Sequence, residues 1–191
     1  MAARAPVRHD EDAESPSAFI EAMAAAATPV SIVTTDGPAG CVGITVSAVV
    51  SVSAEPPIIL ACINLRSPAV AAIEGNGFFC VNMLGAHQSR LANCFAGRPG
   101  DGAAFDFGRG DWRQAASGAP VLETAAASFD CIVESCWNKG THRIITGRVL
   151  CASSSERQPL AYSRRAYRVL QPLQDDRPSI GIEPPSDGLQ P

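Results

Sequence analysis

The chain predicts a mostly β fold: an antiparallel barrel with a few short helices. Three observations point there. Runs of β-branched residues recur at hairpin spacing, as at residues 30–35 and 42–53, with the turn DGPAG (36–40) between them. The helical stretches that separate such runs are short. The composition supports one sizeable core: 191 residues, 46% hydrophobic and 18% charged, are the proportions of a folded domain rather than a disordered chain.

The elements follow in order. Residues 1–15 are charged and lack an apolar pattern, and residues 171–191 are rich in proline, so both read as tails around a domain at 16–170. A first helix opens at Pro16, with Ser15 or Ser17 as cap and Phe19, Ile20 and Met23 on one face. Strands follow at 30–35, 42–53 and 58–64, the last preceded by Pro56 and Pro57. Ser67 caps a two-turn helix that starts at Pro68 and ends at Gly75. A strand at 77–82 precedes a helix at 86–95, closed by Gly97. After a Gly- and Asp-rich loop at 97–118 come strands at 127–137, 142–153 and 167–170. Six or seven strands at this spacing argue a barrel.

Charge and cysteine usage narrow the function. A net charge of −4 provides no basic field for nucleic acid. The longest all-apolar run, residues 22–27, is too short to span a bilayer, and the N-terminus has no apolar signal core. Seven cysteines, an odd number without a CxxC pair, each in an apolar stretch, read as buried free thiols of a cytoplasmic protein. The three histidines, His9, His87 and His142, are too scattered to suggest a metal centre. With 14 arginines and a single lysine, Lys139, any phosphate contact falls to Arg, hydroxyls or backbone N–H.

The segment GITVSAVVSVSAEPP (43–57) carries the chemistry. Read with period two, Ile44, Val46, Ala48, Val50 and Val52 share one face, and Thr45, Ser47, Val49, Ser51 and Ser53 share the other. The second face is small and hydroxyl-rich, so it either faces solvent or lets a planar ligand lie close to the backbone. Asn64, Arg66 and Ser67 follow at a strand end and a helix start, where unsatisfied N–H groups and the helix dipole favour an anion.

These stretches resemble the small flavin reductases, the reductase components of two-component flavin-dependent monooxygenases. The resemblance runs through TPVSIVTTDGPAGCVGITVSAVVSVSAEPPIIL (28–60), NLRSPAVAAIEGNGFFCVNML (64–84), HQSRLANCFAG (87–97), GTHRIITGRV (140–149) and LAYSRRAYRVL (160–170). It implies a flavin-binding split β-barrel, usually a homodimer, in which a hydride passes from nicotinamide C4 of NADH or NADPH to N5 of FMN or FAD. Reduced flavin then serves a partner monooxygenase.

It also implies roles. Thr45, Val46, Ser47, Ser51 and Ser53 would touch the flavin ring or ribityl chain. Cys62, Asn64, Arg66 and Ser67 would lie on its ribityl and phosphate side. Asn82, Met83 and Leu84 would close over it, and Gln88 and Phe95 would line the far end. His142, in the Gly-x-His motif, and Tyr167 would face the nicotinamide. Some relatives carry a basic residue where this chain has Val49, so Arg66, Arg90 or Arg98 must bind the phosphate. Since the cofactors carry the hydride chemistry, no Ser-His-Asp set or carboxylate pair is expected. The rival reading is a split barrel that holds flavin permanently as a carrier or sensor. A haem or pyridoxal phosphate barrel lacks support, because no Lys or His lies in the hydroxyl-lined stretch.

Overall fold

The computed structural model describes residues 15–172. The tails expected at 1–15 and 171–191 lie outside them, apart from Ser15 and residues 171–172. In chain order the elements are α1 (Pro16–Ala24), β1 (Thr28–Pro29), β2 (Ser31–Gly37), β3 (Gly40–Val46), β4 (Val49–Ala54), β5 (Pro57–Asn64), α2 (Pro68–Asn76), β6 (Phe78–Met83), α3 (Ser89–Phe95), β7 (Trp112–Gln114), β8 (Pro120–Leu122), β9 (Ala127–Lys139), β10 (His142–Ser154), β11 (Leu160–Ser163) and β12 (Ala166–Val169).

Seven strands form one antiparallel sheet in the order β3-β2-β6-β9-β10-β5-β4. Its outermost strands, β3 and β4, are neighbours in sequence, with only residues 47 and 48 between them. Strands at opposite ends of a sheet can be joined so tightly only if the sheet rolls up on itself. The Ala48 carbonyl accepts a hydrogen bond from the Cys62 N–H at 2.9 Å, pinning the crossing to β5. No ladder joins β3 to β5, so the barrel has a seam there. Two small sheets, β1-β11-β12 and β7-β8, pack outside it.

The barrel interior holds Val33, Ile59, Ile63, Phe79, Val81 and Ile145, with Ile73 of α2 plugging one end. Each such side chain contributes roughly 1.5–3 kcal/mol relative to an exposed one. Space inside is tight: a Cβ on Gly147 would sit 2.5 Å from the Phe79 ring and 2.8 Å from the Cys131 Cβ. A second cluster, including Ile32, Leu84, Leu91, Phe95, Leu122 and Leu160, lies on the outer face beneath α3.

Several expectations are refined. The run at 42–53 is two strands, not one. Val46 and Val49 are both buried, three positions apart, which one extended strand cannot achieve on one face. The chain therefore turns at 47–48, and the phase inverts: Val50 and Val52, expected with Val46, are 56% and 54% exposed. Ser15 caps α1, accepting from the Ala18 N–H, and Ser67 caps α2, accepting from the Ala69 N–H. Helix α2 runs past Gly75 to Asn76 and stops at Gly77, whose φ of 78° is the left-handed conformation that suits glycine. The loop at 97–118 contains a 3-10 turn at Phe107–Arg109 and strand β7, and Phe107 and Trp112 pack edge-on against Phe95. Of the cysteines, Cys80, Cys94 and Cys131 are buried and Cys62 and Cys136 partly so. Cys41 and Cys151 are exposed, because they lie on outward-facing positions of β3 and β10. All seven are free.

Candidate active site at the barrel seam

The seam opens into a cavity of about 240 Å³. Its walls bring together Thr45, Val46 and Ser47 at the end of β3, Cys62 and Asn64 of β5, the α2 cap Ser67, and His142 at the start of β10. These residues are far apart in sequence. The antiparallel pairing of β10 with β5 unites them, placing His142 directly opposite Asn64. Ile44, Ala48 and Ile63 complete the lining.

Local bonding sets what each group can offer. The Asn64 Oδ1 accepts from the Arg66 N–H at 3.0 Å, fixing the turn into α2, and leaves its amide N–H₂ without a protein partner among the described residues. The Thr45 hydroxyl donates to the Ala92 carbonyl at 2.8 Å and ties α3 to β3. Ser47, exposed at the crossing, is small enough to leave the backbone approachable. The His142 Nδ1 lies 2.9 Å from the Thr141 hydroxyl, which leaves Nε2 free. Burial pushes the Cys62 thiol up, so it is a neutral wall rather than a thiolate nucleophile.

A second cavity, about 150 Å³, shares residues 45, 46 and 47 with the first. Its remaining walls are Val30, Ala96, Arg98, Tyr162 and Tyr167. The two tyrosine rings meet edge to face at 5.5 Å. The Tyr167 hydroxyl donates to Asn93 Oδ1 at 2.9 Å. Burial raises its pKa, partly offset by the nearby Arg98 charge.

Several residues implicated from sequence lie elsewhere. His142 and Tyr167, expected to face one ring together, line different cavities. Ser51 and Ser53 sit on β4 at the far edge of the sheet and line neither cavity, because the chain has already crossed at 47–48. Arg66 is exposed and lines neither. Asn82, Leu84 and Phe95 are fully buried. Asn82 lies on β6, a central strand flanked by β2 and β9, so its amide is spent on Ile32, Thr34, Pro120 and Leu122 rather than on the seam. Met83 packs against the barrel core. Gln88 is buried, accepting from the Gly85 N–H at 2.7 Å and donating to Thr124 at 2.8 Å. Sequence reasoning gave no role to Tyr162 or Ala96; both come from segments whose approach to β3 only the fold reveals.

Among the described residues, no group of three or more His, Cys, Asp or Glu is placed to hold a metal ion, and no helix is long and apolar enough to cross a membrane.

A split barrel with a small-walled polar seam, and a histidine set against it, is the architecture of a flavin reductase, an oxidoreductase that works with a nicotinamide donor. The chain belongs to the flavin reductase like domain family, whose model matches residues 23–171. It is 45% identical over 156 residues to FMN reductase (NADH) RutF 1 of Methylorubrum extorquens, covering 81% of this chain and 76% of that protein. Among solved structures, it resembles the NADH:FAD oxidoreductase of Streptomyces globisporus in complex with NAD and FAD fragments, at TM-score 0.76 and 27% identity, covering 84% of this chain and 96% of that one. The styrene monooxygenase flavin reductase of Pseudomonas putida matches at TM-score 0.70 and 27% identity, covering 81% and 97%.

Proposed function

We propose that the protein reduces FMN with NADH and releases the reduced flavin to a separate monooxygenase component. The observation that carries this reading is the seam cavity itself, where β3, β5, the α2 cap and β10 converge on one opening. The residues there fit a flavin. Ser47, Ala48 and Cys62 are small, so a flat ring can approach the backbone. The Asn64 amide, the Ser47 hydroxyl and the free nitrogen of His142 offer hydrogen bonds to its polar edge or to the donor. The two adjoining cavities together reach the lower end of the usual range for cofactor sites, about 300–1,000 Å³.

Bound flavin supplies the hydride acceptor. The chain's own work is positioning: residues 45–47 form the wall against which the ring rests, Asn64 and Ser67 hold the ribityl side, and His142 orients the donor.

The relatives' names support the choice of FMN and NADH and of an oxygenase partner. Exposed apolar side chains on β4, β9 and β10 (Val50, Val52, Ile132, Trp137 and Leu150) support a homodimer through that half of the sheet. The exposed free thiols of Cys41 and Cys151 support a reducing, cytoplasmic location.

The test is His142→Ala, with flavin fluorescence titration and NADH kinetics on the same protein. Loss of one ligand hydrogen bond is worth about 1–2 kcal/mol, so kcat/KM for NADH should fall roughly five- to thirtyfold while flavin affinity holds. Unchanged kcat/KM in a folded, flavin-competent variant removes His142 from the site. A wild-type protein that keeps its flavin through gel filtration and does not oxidise NADH is a carrier, not a reductase.

A further inference from the structure

His142 lines the seam cavity, yet the residue is exposed, so packing alone does not fix its ring. The hairpin that carries it supplies the restraint. Strand β9 ends at Lys139 and β10 begins at His142, so the turn is two residues long, Gly140 and Thr141. Gly140 takes a φ of 57°, the left-handed conformation that such tight turns require. The backbone on either side of His142 is tied down. On one side the Thr141 carbonyl accepts from the Leu65 N–H at 3.1 Å, joining the turn to the loop that leads into α2. On the other, the Arg143 guanidinium pairs with Glu74 of α2 and donates to Asn138 Oδ1 at 2.9 Å. His142 itself pairs across the sheet with Asn64.

These ties set where the His142 backbone stands and leave the rotation of its ring open. One side-chain contact governs that rotation: the Thr141 hydroxyl, 2.9 Å from Nδ1. The hydroxyl has no other hydrogen-bond partner among the described residues. A hydroxyl can donate to a bare Nδ1 or accept from a protonated one, so it holds the ring in either state. When it donates, the proton of the neutral imidazole sits on Nε2, and the free edge of the ring offers an N–H to an acceptor in the cavity.

We infer that Thr141 is a positioning residue for hydride transfer: through Nδ1 it holds His142 with Nε2 directed at the nicotinamide. The inference rests on the flavin reductase reading and on the role of His142 in it. Thr141 lines neither seam cavity itself, so its effect on the donor must pass through the histidine.

The experiment is a double-mutant cycle on Thr141→Val and His142→Ala, with Thr141→Ser as control, reading kcat/KM for NADH and Kd for FMN. Valine keeps the branched side chain and drops the hydroxyl, and the variants should fold because Thr141 is exposed. One lost hydrogen bond at such a site corresponds to roughly a three- to tenfold fall in kcat/KM. That fall is expected in Thr141→Val, with Kd for FMN unchanged within about twofold. Serine, which keeps the hydroxyl, should restore most of it. In the His142→Ala background, Thr141→Val should change kcat/KM by less than about twofold, because the group it acts through is gone. Full multiplication of the two effects overturns the inference, since Thr141 then acts without His142. So does an unchanged kcat/KM in Thr141→Val when His142→Ala is impaired. A parallel loss of FMN affinity and NADH use that serine does not rescue also overturns it, because Thr141 then merely shapes the turn. If His142→Ala is itself silent in a wild type that oxidises NADH, the assignment of His142 fails and takes this inference with it. A wild type that oxidises no NADH at all overturns the parent reading, and the inference with it, so the failures are distinct.

Discussion

Replacing Asn82 by leucine separates a ligand contact from a structural one. Asn82 is fully buried. Its Oδ1 accepts from the Leu122 N–H at 2.8 Å, and its Nδ2 donates toward the Ile32 carbonyl, the Thr34 hydroxyl and the Pro120 carbonyl at 3.1–3.3 Å. Leucine has the same branched heavy-atom skeleton with bulkier methyl ends, so the change removes hydrogen bonds without opening a cavity. The Leu122 N–H is then stranded. The Pro120 carbonyl keeps the Thr34 hydroxyl as donor and loses less. One stranded buried donor costs about 1–3 kcal/mol, and the weakened acceptors bring the expected total to about 2–4 kcal/mol. With a urea m-value of about 2 kcal/mol/M for a domain of this size, the midpoint should move down by roughly 1–2 M at fixed protein concentration. Flavin affinity measured in the folded baseline should hold within about twofold, because the side chain does not reach the seam. A midpoint shift under about 0.3 M, or a selective loss of flavin binding at unchanged stability, would refute the reasoning and return Asn82 to the ligand.

Three further outcomes follow. Ser47→Tyr should abolish flavin binding in a folded protein, whereas Ser51→Tyr, out on β4, should leave it intact; flavin titration of the pair checks the seam against the continuous-strand reading, which expects both to fail. Stability should fall as pH rises above about 9, because burial pushes the Cys131 thiol from 9.0 up to about 12, so the folded state binds more protons than the unfolded one across that window. In Cys131→Ala, the loss of stability between pH 8 and 10.5 should shrink by about 1–2 kcal/mol in urea titrations, and an identical slope in both proteins would show that this thiol is not the cause. Sedimentation equilibrium should show a dimer that Val52→Glu dissociates, and a monomeric wild type at micromolar concentration would refute the exposed sheet face as an interface.

The barrel was legible in the sequence because β-branched runs and turn residues announce strands locally, and the capped helix at Ser67 carries its own signature. Strands β7, β8 and β11 were not, because each is only three or four residues long and is stabilised by packing rather than by a pattern of its own. The break at 47–48 was hidden for a sharper reason. Valines stand at 46, 49, 50 and 52, so an alternation in either phase finds apolar residues, and only the burial of both Val46 and Val49 reveals the turn. The same limit applies to the site. Residues 45–47, Cys62, Asn64, Ser67 and His142 do converge, since the strands that carry them pair as expected. The allocation of Asn82, Gln88 and Phe95 depends on which face of a central strand or helix is covered, and a sequence does not state what covers it.

The crossing at 47–48 also bears on the order in which the molecule is built. Sheet edges β3 and β4 are synthesised together, but they can flank a closed barrel only after β9 has docked on β6 and β10 on β5, pairings that reach back across about a third and about half of the described chain. Long-range pairings of this kind form late and slowly. The nascent hairpin β2–β3 therefore carries the ring-facing residues long before there is a seam to hold a ring. A flavin present during refolding has nothing to bind until the final strands arrive. It should leave the folding rate unchanged and act only afterwards, by slowing the escape from the native state.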